Sequence, residues 1–359
     1  MDTSYYNRFG GEELMRRLAS ETLLAQGPMG SVLLSEYGAA DIPPAFWNLA
    51  EPQTVSRIHR LYAAAGAQVL ITNTFQASGF ALDRDEIAPS MAEVNRGAVD
   101  DARQANPQLL LGSMGPIAIE WFVEDSSEYR EIRANAREQA SALLNAGVDG
   151  ILVETITSIR NLQPVFAGVH DAADGMPVLV SFAIDDKGDL LGDGLNIEGA
   201  ILYAEKHGAS SVGVNCCTLT AATAAVLRMV KIATTPVTVR PNAGNPVQTQ
   251  DGPVWHEDPE AFARACVEWK RLAPQWLVAV AEPRRSRRLL WQTRSIYRVL
   301  RKAHSNYRPN RGGFLSICAL DGFCLNGECV RRRLAGRSLR VYHLRTMIQT
   351  LRGVCVCAR

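Results

Sequence analysis

The chain has 359 residues and a formal net charge of +1, with 47% hydrophobic and 21% charged residues. These proportions are typical of a globular protein that is long enough to bury a substantial core. No apolar run reaches about 18 residues, which argues against a membrane span, and the first 27 residues lack the apolar segment of a secretory signal. We therefore expect a cytoplasmic protein with reduced cysteines.

The near-neutral total hides a division of charge along the chain. From Lys270 onward there are 20 basic residues, 18 of them Arg, against three acidic residues. That leaves 18 basic and 34 acidic residues in 1–269. A basic arm often binds nucleic acid, but such arms usually contain Lys as freely as Arg. The composition therefore marks 272–359 as a tail that differs from the body of the chain.

The body repeats one pattern, in which a helix ends in glycine and is followed by an apolar strand with a polar tip. The pattern is clearest at 63–75 (AAAGAQVLITNTF), 144–158 (LNAGVDGILVETITS) and 205–218 (EKHGASSVGVNCCT). The glycine suits a helix C-cap, and the apolar run suits a strand that is buried on both faces. Further strands are predicted at 22–27, 109–116, 177–184 and 236–244, and helices at 52–66, 131–147 and 258–272.

The order of these elements predicts a barrel. The seven strand ends fall near residues 26, 72, 112, 154, 183, 214 and 240. Strands that alternate with helices form a parallel sheet, and this spacing predicts a (β/α)8 barrel of the TIM type over 1–271. A doubly wound open sheet ranks lower because no G-x-G-x-x-G follows the first strand. The eighth strand is atypical or missing, although WLVAV at 276–280 is apolar enough to close the barrel.

Polar segments follow the predicted strands, at the end of the barrel where such folds place their active sites. They are G-P-M-G-S (27–31), T-N-T-F (72–75), G-S-M-G-P (112–116), E-T (154–155), G-V-N-C (213–216) and P-N-A-G (241–244). In this order they resemble the homocysteine S-methyltransferase family, which includes betaine–homocysteine methyltransferase and the homocysteine-binding domain of methionine synthase. The resemblance covers roughly 20–270. It implies transfer of a methyl group from an onium or other donor to the thiol of homocysteine, giving methionine.

The resemblance also implies a Zn²⁺ ion held by three thiolates. One of them would be Cys216, and Cys217 is the less suitable ligand because successive strand residues face opposite sides. A tetrahedral zinc with three protein ligands keeps one position open, where a substrate thiol loses its proton. The alternative for Cys216 is a small buried residue, as free cysteines commonly are.

For the substrate, the resemblance places Glu154 at the ammonium group of homocysteine, and the alternative is a solvated carboxylate at a strand end. Gln26 departs from the family, which commonly has Asp there, so ammonium recognition should be weaker or the donor preference changed. Backbone amides of the glycine-rich first loop, which begins at Gly27, could hold a carboxylate. We expect four further polar residues to line the substrate pocket: Asn73, Thr74, Ser113 and Asn242. The alternative for each is a purely structural role in a turn.

In the family, the other two thiolates come from a G-G-C-C-G-T or G-G-x-C-G-T motif after strand eight, and this sequence lacks it. A displaced frame joins the third base of each codon to the first two bases of the next. In that frame, synonymous codons for 272–286 can spell G-A-x-x-V-G-G-G-C-G-T-x-P-E. We therefore interpret 272–359 as an out-of-frame translation, which also explains its Arg-rich composition, and we expect it to be poorly ordered. With Cys216 alone, zinc binding and methyl transfer should be impaired.

The competing interpretation takes the tail as genuine and the barrel as non-catalytic. Arginines within 284–288 and 331–333 would then bind nucleic-acid phosphates. We consider nucleic acid the less favoured partner and expect small-molecule substrates, homocysteine and a methyl donor. The tail cysteines contain no C-x2-C pair, so a zinc ribbon is not predicted. The sequence leaves open the methyl donor, the exact thiol acceptor and the oligomeric state.

Overall fold

The structure of the chain is a computed structural model. It describes residues 3–36, 42–117, 123–242, 246–249, 252–255, 259–272 and 276–279. Residues 280–359 lie outside the described part, and with them most of the basic tail on which the nucleic-acid alternative depends.

The strands of the described chain form a barrel and one hairpin. They are β1 (Leu23–Ala25), β2 (Val69–Ile71), β3 (Leu109–Met114), β4 (Gly150–Ile156), β5 (Val178–Ala183), β6 (Ser211–Asn215), β7 (Val237–Arg240), β8 (Pro246–Thr249), β9 (Gly252–Trp255) and β10 (Trp276–Ala279). Eight parallel strands close in the order β1-β10-β7-β6-β5-β4-β3-β2, and β8 pairs antiparallel with β9. The predicted TIM-type barrel is therefore confirmed, and the seven predicted strand ends lie within two residues of those observed.

The eighth position of the barrel is filled by β10, the segment whose sequence is atypical for it. Leu277 pairs with Leu23 of β1 and with Thr238 of β7, so the strand bridges the gap between the first and seventh strands. Parallel pairing uses backbone N–H and C=O groups, so an apolar segment of suitable length can pair here without the family's motif. The strand is thus present, but 276–280 carries no cysteine.

The helices surround the barrel between successive strands. They are α1 (Thr3–Leu18), α2 (Gly30–Glu36), α3 (Trp47–Ala50), α4 (Pro52–Ala65), α5 (Gly79–Arg84), α6 (Met91–Arg103), α7 (Ser127–Ala146), α8 (Ile159–Ala173), α9 (Ile197–Lys206), α10 (Leu219–Met229) and α11 (Pro259–Leu272). As predicted, Gly66 and Gly147 cap α4 and α7 in the left-handed conformation, with φ of 116° and 102°. Within the described residues, none of the helices has the length and apolar character to cross a membrane.

The core has two layers that follow the alternation of side chains along the strands. The inner layer contains every second residue of β1 to β3 and one residue each of β4 and β5, together with Leu14 and Leu18 of α1. The outer layer contains the intervening strand residues packed against the helices. Helix α1, for which the sequence shows no clear helical pattern, therefore covers one end of the barrel interior. The opposite end, where the strands terminate, is lined by polar residues.

Candidate functional site

A cavity of about 380 Å³ lies at the C-terminal ends of the barrel strands. Its lining comes from the loops after β1 and β2 and from the ends of β3, β4, β6 and β7. Six of the predicted site residues line it: Gln26, Gly27, Asn73, Ser113, Glu154 and Cys216. Six further polar residues that were not predicted to act in the site also line it: Ser31, Thr72, Gln76, Thr155, Asn215 and Arg240.

Two predicted residues, Thr74 and Asn242, are not among the residues that line the cavity. Thr74 is fully buried, and its hydroxyl donates to the carbonyl oxygen of Ser113 at 2.7 Å. The backbone N–H of Asn242 donates to the carbonyl oxygen of Cys217 at 2.8 Å. Both contacts join the ends of neighbouring strands, so these residues hold the rim of the barrel in place.

Asn73 lines the cavity, and its side chain also hydrogen-bonds to the segment around α3. Its Nδ2 donates to the carbonyl oxygen of Pro44 at 2.6 Å and to Oδ1 of Asn48 at 3.0 Å. In return, Nδ2 of Asn48 donates to the carbonyl oxygen of Asn73 at 2.9 Å. This reciprocal pair fixes the loop after β2 against the segment that carries α3.

Glu154 lies at the end of β4, is 9% exposed and is held from two sides. Ser113 Oγ donates to Oε1, and Arg240 Nη1 lies 2.7 Å from Oε2. The expected ammonium-binding carboxylate is therefore already compensated by a buried guanidinium. Each carboxylate oxygen has two lone pairs, so both can accept a further hydrogen bond from a ligand. The site presents a neutral ion pair rather than a lone negative charge.

Arg240 carried a signal that sequence reasoning could have used. It ends the segment PVTVR, which was predicted to be a strand in a parallel sheet. Such strands are buried on both faces, and Arg is almost never fully buried without a partner. A charged residue at the end of that strand therefore predicts an acidic partner at a neighbouring strand end, and Glu154 is that partner.

Asn215, the last residue of β6, connects the ends of β4 and β6. Its Oδ1 accepts from the backbone N–H of Thr155 at 3.0 Å and from Ser181 Oγ at 2.7 Å. Its Nδ2 donates to Thr155 Oγ1 at 2.8 Å and lies 3.2 Å from Cys216 Sγ. Thr155 and Cys216 both have left-handed backbones, with φ of 60° and 52°. That conformation is strained, especially for β-branched Thr155, and the Asn215 contacts hold it in place.

Cys216 is an exposed residue that lines the cavity, and its Sγ lies 3.6 Å from Thr155 Oγ1. Desolvation by its protein surroundings raises the pKa of this thiol, and the Glu154 carboxylate adds to the effect. Thr155, Arg240 and Asn215 act in the opposite direction. The described residues therefore favour the protonated thiol at neutral pH. Cys217 instead packs in the outer core layer, where burial raises its pKa to about 12.

The donor set in the described part of the chain does not fit a three-thiolate zinc site. There, no three His, Cys, Asp or Glu side chains are grouped closely enough to hold a metal ion. Of the cysteines in that part, Cys216 is exposed, whereas Cys217 and Cys266 are buried. One accessible thiol is a weak basis for zinc, which prefers four ligands in structural sites and three in catalytic ones.

Gln26 is buried at the end of β1 and paired with a histidine. Its Oε1 accepts from Nδ1 of His59 at 2.9 Å. Complete burial lowers the pKa of His59 to about 3, so this imidazole is neutral at physiological pH. The first loop therefore contributes no charged side chain at Gln26 or behind it, and the charge of the lining comes from Glu154 and Arg240.

Comparison with known proteins agrees with this architecture. The sequence model of the homocysteine S-methyltransferase family matches residues 23–279, from the first residue of β1 to the last of β10. The fold is similar to that of a homocysteine methyltransferase from Escherichia coli, crystallised in a metallated form. The match covers 80% of this chain and 99% of that enzyme. Its TM-score is 0.62 at 21% sequence identity, which supports the same fold.

Curated relatives show similarity in sequence as well. A methionine synthase from Mycobacterium leprae is 30% identical over 272 residues, which cover 70% of this chain and 22% of that protein. The corresponding Mycobacterium tuberculosis enzyme is 29% identical, with 23% of its length matched. A homocysteine S-methyltransferase from Escherichia coli is 29% identical over 73% of this chain and 89% of its own length. The chain thus spans about a quarter of the methionine synthases, and it belongs to the homocysteine S-methyltransferase family.

Proposed function

We propose that this chain transfers a methyl group from an onium or other methyl donor to the thiol of homocysteine, giving methionine. One observation carries the proposal. The family match over 23–279 coincides with a barrel whose cavity brings together Glu154 and Cys216, the acid and thiol expected there. The small-molecule size of both substrates agrees with a cavity of about 380 Å³. A cytoplasmic location belongs to the same proposal.

In this reaction the sulfur of the acceptor attacks the methyl carbon of the donor. The bond between that carbon and the donor heteroatom breaks, and its electron pair leaves with the donor, so a positively charged donor departs neutral. The thiol must first release its proton to solvent, because the thiolate is the nucleophile. Holding the two reactants in line is a large part of such catalysis. The lone pairs that remain on Glu154 would orient the acceptor through its ammonium group.

We further propose that the chain as written binds zinc weakly and is impaired in methyl transfer. Support comes from the single exposed thiol among the described cysteines and from β10, which brings no cysteine to the rim. Metal analysis of the purified protein tests this directly. A content near one zinc ion per chain would contradict the proposal, whereas a small fraction of that is expected.

The out-of-frame origin of 272–359 remains a proposal, and it supplies the decisive experiment. The gene is sequenced first: an uninterrupted frame whose displaced codons cannot spell G-G-x-C-G-T would refute it. If the codons allow the displaced reading, a frame-restored chain is made and incubated with homocysteine and S-methylmethionine, S-adenosylmethionine or betaine in turn. Methionine is measured by mass spectrometry. We expect zinc uptake and methionine from at least one donor.

A matched pair of substitutions assigns the activity to the cavity. In the frame-restored chain, Cys216→Ala should abolish zinc uptake and methionine formation, whereas Cys266→Ala, which changes a cysteine buried in α11, should leave both intact. A folded, zinc-loaded, frame-restored chain that forms no methionine with any donor would overturn the proposed function.

A further inference from the structure

Arg240 has hydrogen-bonding capacity that the ion pair with Glu154 does not use. The residue is 7% exposed and lines the cavity at the end of β7. Only Nη1 contacts Glu154, at 2.7 Å from Oε2. Nε and Nη2 are buried and have no hydrogen-bond partner within the described residues. Buried polar groups are nearly always paired, and one that is not calls for an explanation.

The two unpaired nitrogens form the edge of a guanidinium that binds carboxylates. The Nε–H bond and one N–H bond of Nη2 are parallel, which matches the two oxygens of a carboxylate. Other arginines of this protein use this edge in that way. Arg133 contacts Asp171 through Nε and Nη2 at 2.7 and 2.8 Å, and Arg84 contacts Asp85 through the same atoms at 2.7 and 2.8 Å.

The charges of the site favour a ligand that carries both signs. Glu154 and Arg240 neutralise one another, and neighbouring Gln26 and His59 add no charge. A purely anionic or purely cationic ligand would leave one charge uncompensated in a buried site, which is costly. An α-amino acid carries an ammonium and a carboxylate on one carbon, so it can bind both members of the pair at once.

We propose that Arg240 binds the carboxylate of an α-amino-acid acceptor through Nε and Nη2, while Glu154 accepts a hydrogen bond from its ammonium group. The inference rests on the proposed function, because it assumes that the acceptor occupies this cavity. Arg240 pairs in register with Asn215, the residue before Cys216, so a ligand anchored there lies beside the exposed thiol. This assignment gives the acceptor's carboxylate a side-chain partner besides the backbone amides of the first loop.

Calorimetric titration with three thiols tests the assignment without requiring turnover. The ligands are homocysteine, 3-aminopropane-1-thiol, which lacks the carboxylate, and 4-mercaptobutanoate, which lacks the ammonium group. The variant Arg240→Lys keeps the positive charge beside Glu154 but loses the parallel N–H pair. It should weaken homocysteine and 4-mercaptobutanoate binding roughly 10- to 100-fold and leave 3-aminopropane-1-thiol unchanged.

The control is Arg228→Lys. Arg228 contacts Glu198 through Nε and Nη2 outside the cavity, so this variant should bind all three thiols as the wild type does. If Arg240→Lys does not fold, as judged by circular dichroism, the double variant Arg240→Gln/Glu154→Gln is compared with Glu154→Gln alone. Relative to that single variant, it should bind homocysteine and 4-mercaptobutanoate more weakly and 3-aminopropane-1-thiol equally well.

Several results would overturn the assignment. In the first, Arg240→Lys weakens the binding of all three thiols equally, and in the second it weakens the binding of none. In the third, neither homocysteine nor 4-mercaptobutanoate binds the wild type at 10 mM, a concentration about ten times the usual upper range of KM values. A different result is expected if only the proposed methyl transfer is wrong and the assignment of Arg240 is right. In that case homocysteine binds in an Arg240-dependent manner, but a frame-restored, zinc-loaded chain produces no methionine.

Discussion

Replacing Glu154 by Gln should destabilise the fold much more than the same change at Glu198. Each glutamate pairs with one arginine, but the two pairs differ in exposure. The side chains of Arg240 and Glu154 are 9% and 12% exposed, whereas those of Arg228 and Glu198 are 31% and 32% exposed. The comparison therefore keeps the substitution constant and varies the exposure of the pair. The exposed Glu198 has the more extensive contact with its arginine, through both Nε and Nη2 of Arg228, so contact number alone would predict the opposite order.

The expected loss in free energy of unfolding depends on the charge that remains buried after the Glu154 carboxylate is removed. Loss of one partner of a buried ion pair typically costs 3–5 kcal/mol, because the other charge is left uncompensated. Arg240 borders a cavity and Gln keeps one acceptor, so we expect the lower end, about 3 kcal/mol. An exposed pair is worth about 0–1 kcal/mol, which sets the expectation for Glu198→Gln.

Urea unfolding at pH 7, followed by far-ultraviolet circular dichroism, measures both free energies of unfolding. The double variant Glu154→Gln/Arg240→Met removes both charges and should recover at least half of the loss, since a pair without charges needs no compensation. Equal destabilisation by Glu154→Gln and Glu198→Gln, within about 0.5 kcal/mol, would refute the reasoning. So would a double variant less stable than Glu154→Gln.

Two further predictions concern stability. Burial raises the pKa of the Asp101 carboxyl from its usual 3.8 to about 7. Between these two pH values the carboxyl is protonated in the folded chain and ionised in the unfolded chain. The stability that this group contributes is complete below pH 4 and falls by up to about 1.4 kcal/mol per pH unit as the pH rises to 7. Asp101→Asn should therefore be more stable than the wild type above pH 7 in urea titrations, whereas the same change at the exposed Asp83 should have little effect. A Cβ on Gly213 would lie 1.9 Å from a backbone oxygen of β7, whereas one on Gly30 would meet nothing closer than 3.8 Å. Thermal unfolding should therefore show a large loss of stability for Gly213→Ala, about 3 kcal/mol or more, and little change for Gly30→Ala, whereas equal midpoints would contradict the packing argument.

The seven strand positions were predictable because a parallel barrel strand leaves a strong local pattern. An apolar run bounded by a helix-capping glycine and a polar tip occurs at 63–75 and 144–158, and both became helix, cap and strand as predicted. Helix α1 was not predicted. Its place over the barrel interior depends on Leu14 and Leu18 meeting strand residues that are distant in the chain. Such contacts leave no periodic signal in a short window.

The candidate site also combines features that the sequence predicts with features that only the tertiary structure decides. The amino acids alone predicted that an acid, a thiol and several amides would stand at strand ends, because chain order places every strand tip on one rim of a barrel. Only the tertiary structure decided how they meet. It paired Glu154 with Arg240, placed the Asn215 amide between Thr155 and Cys216, and took Thr74 and Asn242 out of the lining. Those outcomes depend on side-chain distances across separate strands, and no local pattern encodes them.

The eighth strand shows both contributions at one place. The sequence by itself determined that 276–280 is apolar enough to form a strand and carries no thiol. The tertiary structure decided that it does form one, because β1 and β7 each present a row of backbone groups that must be paired. Backbone pairing is insensitive to side-chain identity, so the barrel closes. Metal binding depends on side-chain identity, so closing the barrel does not supply the missing thiolates.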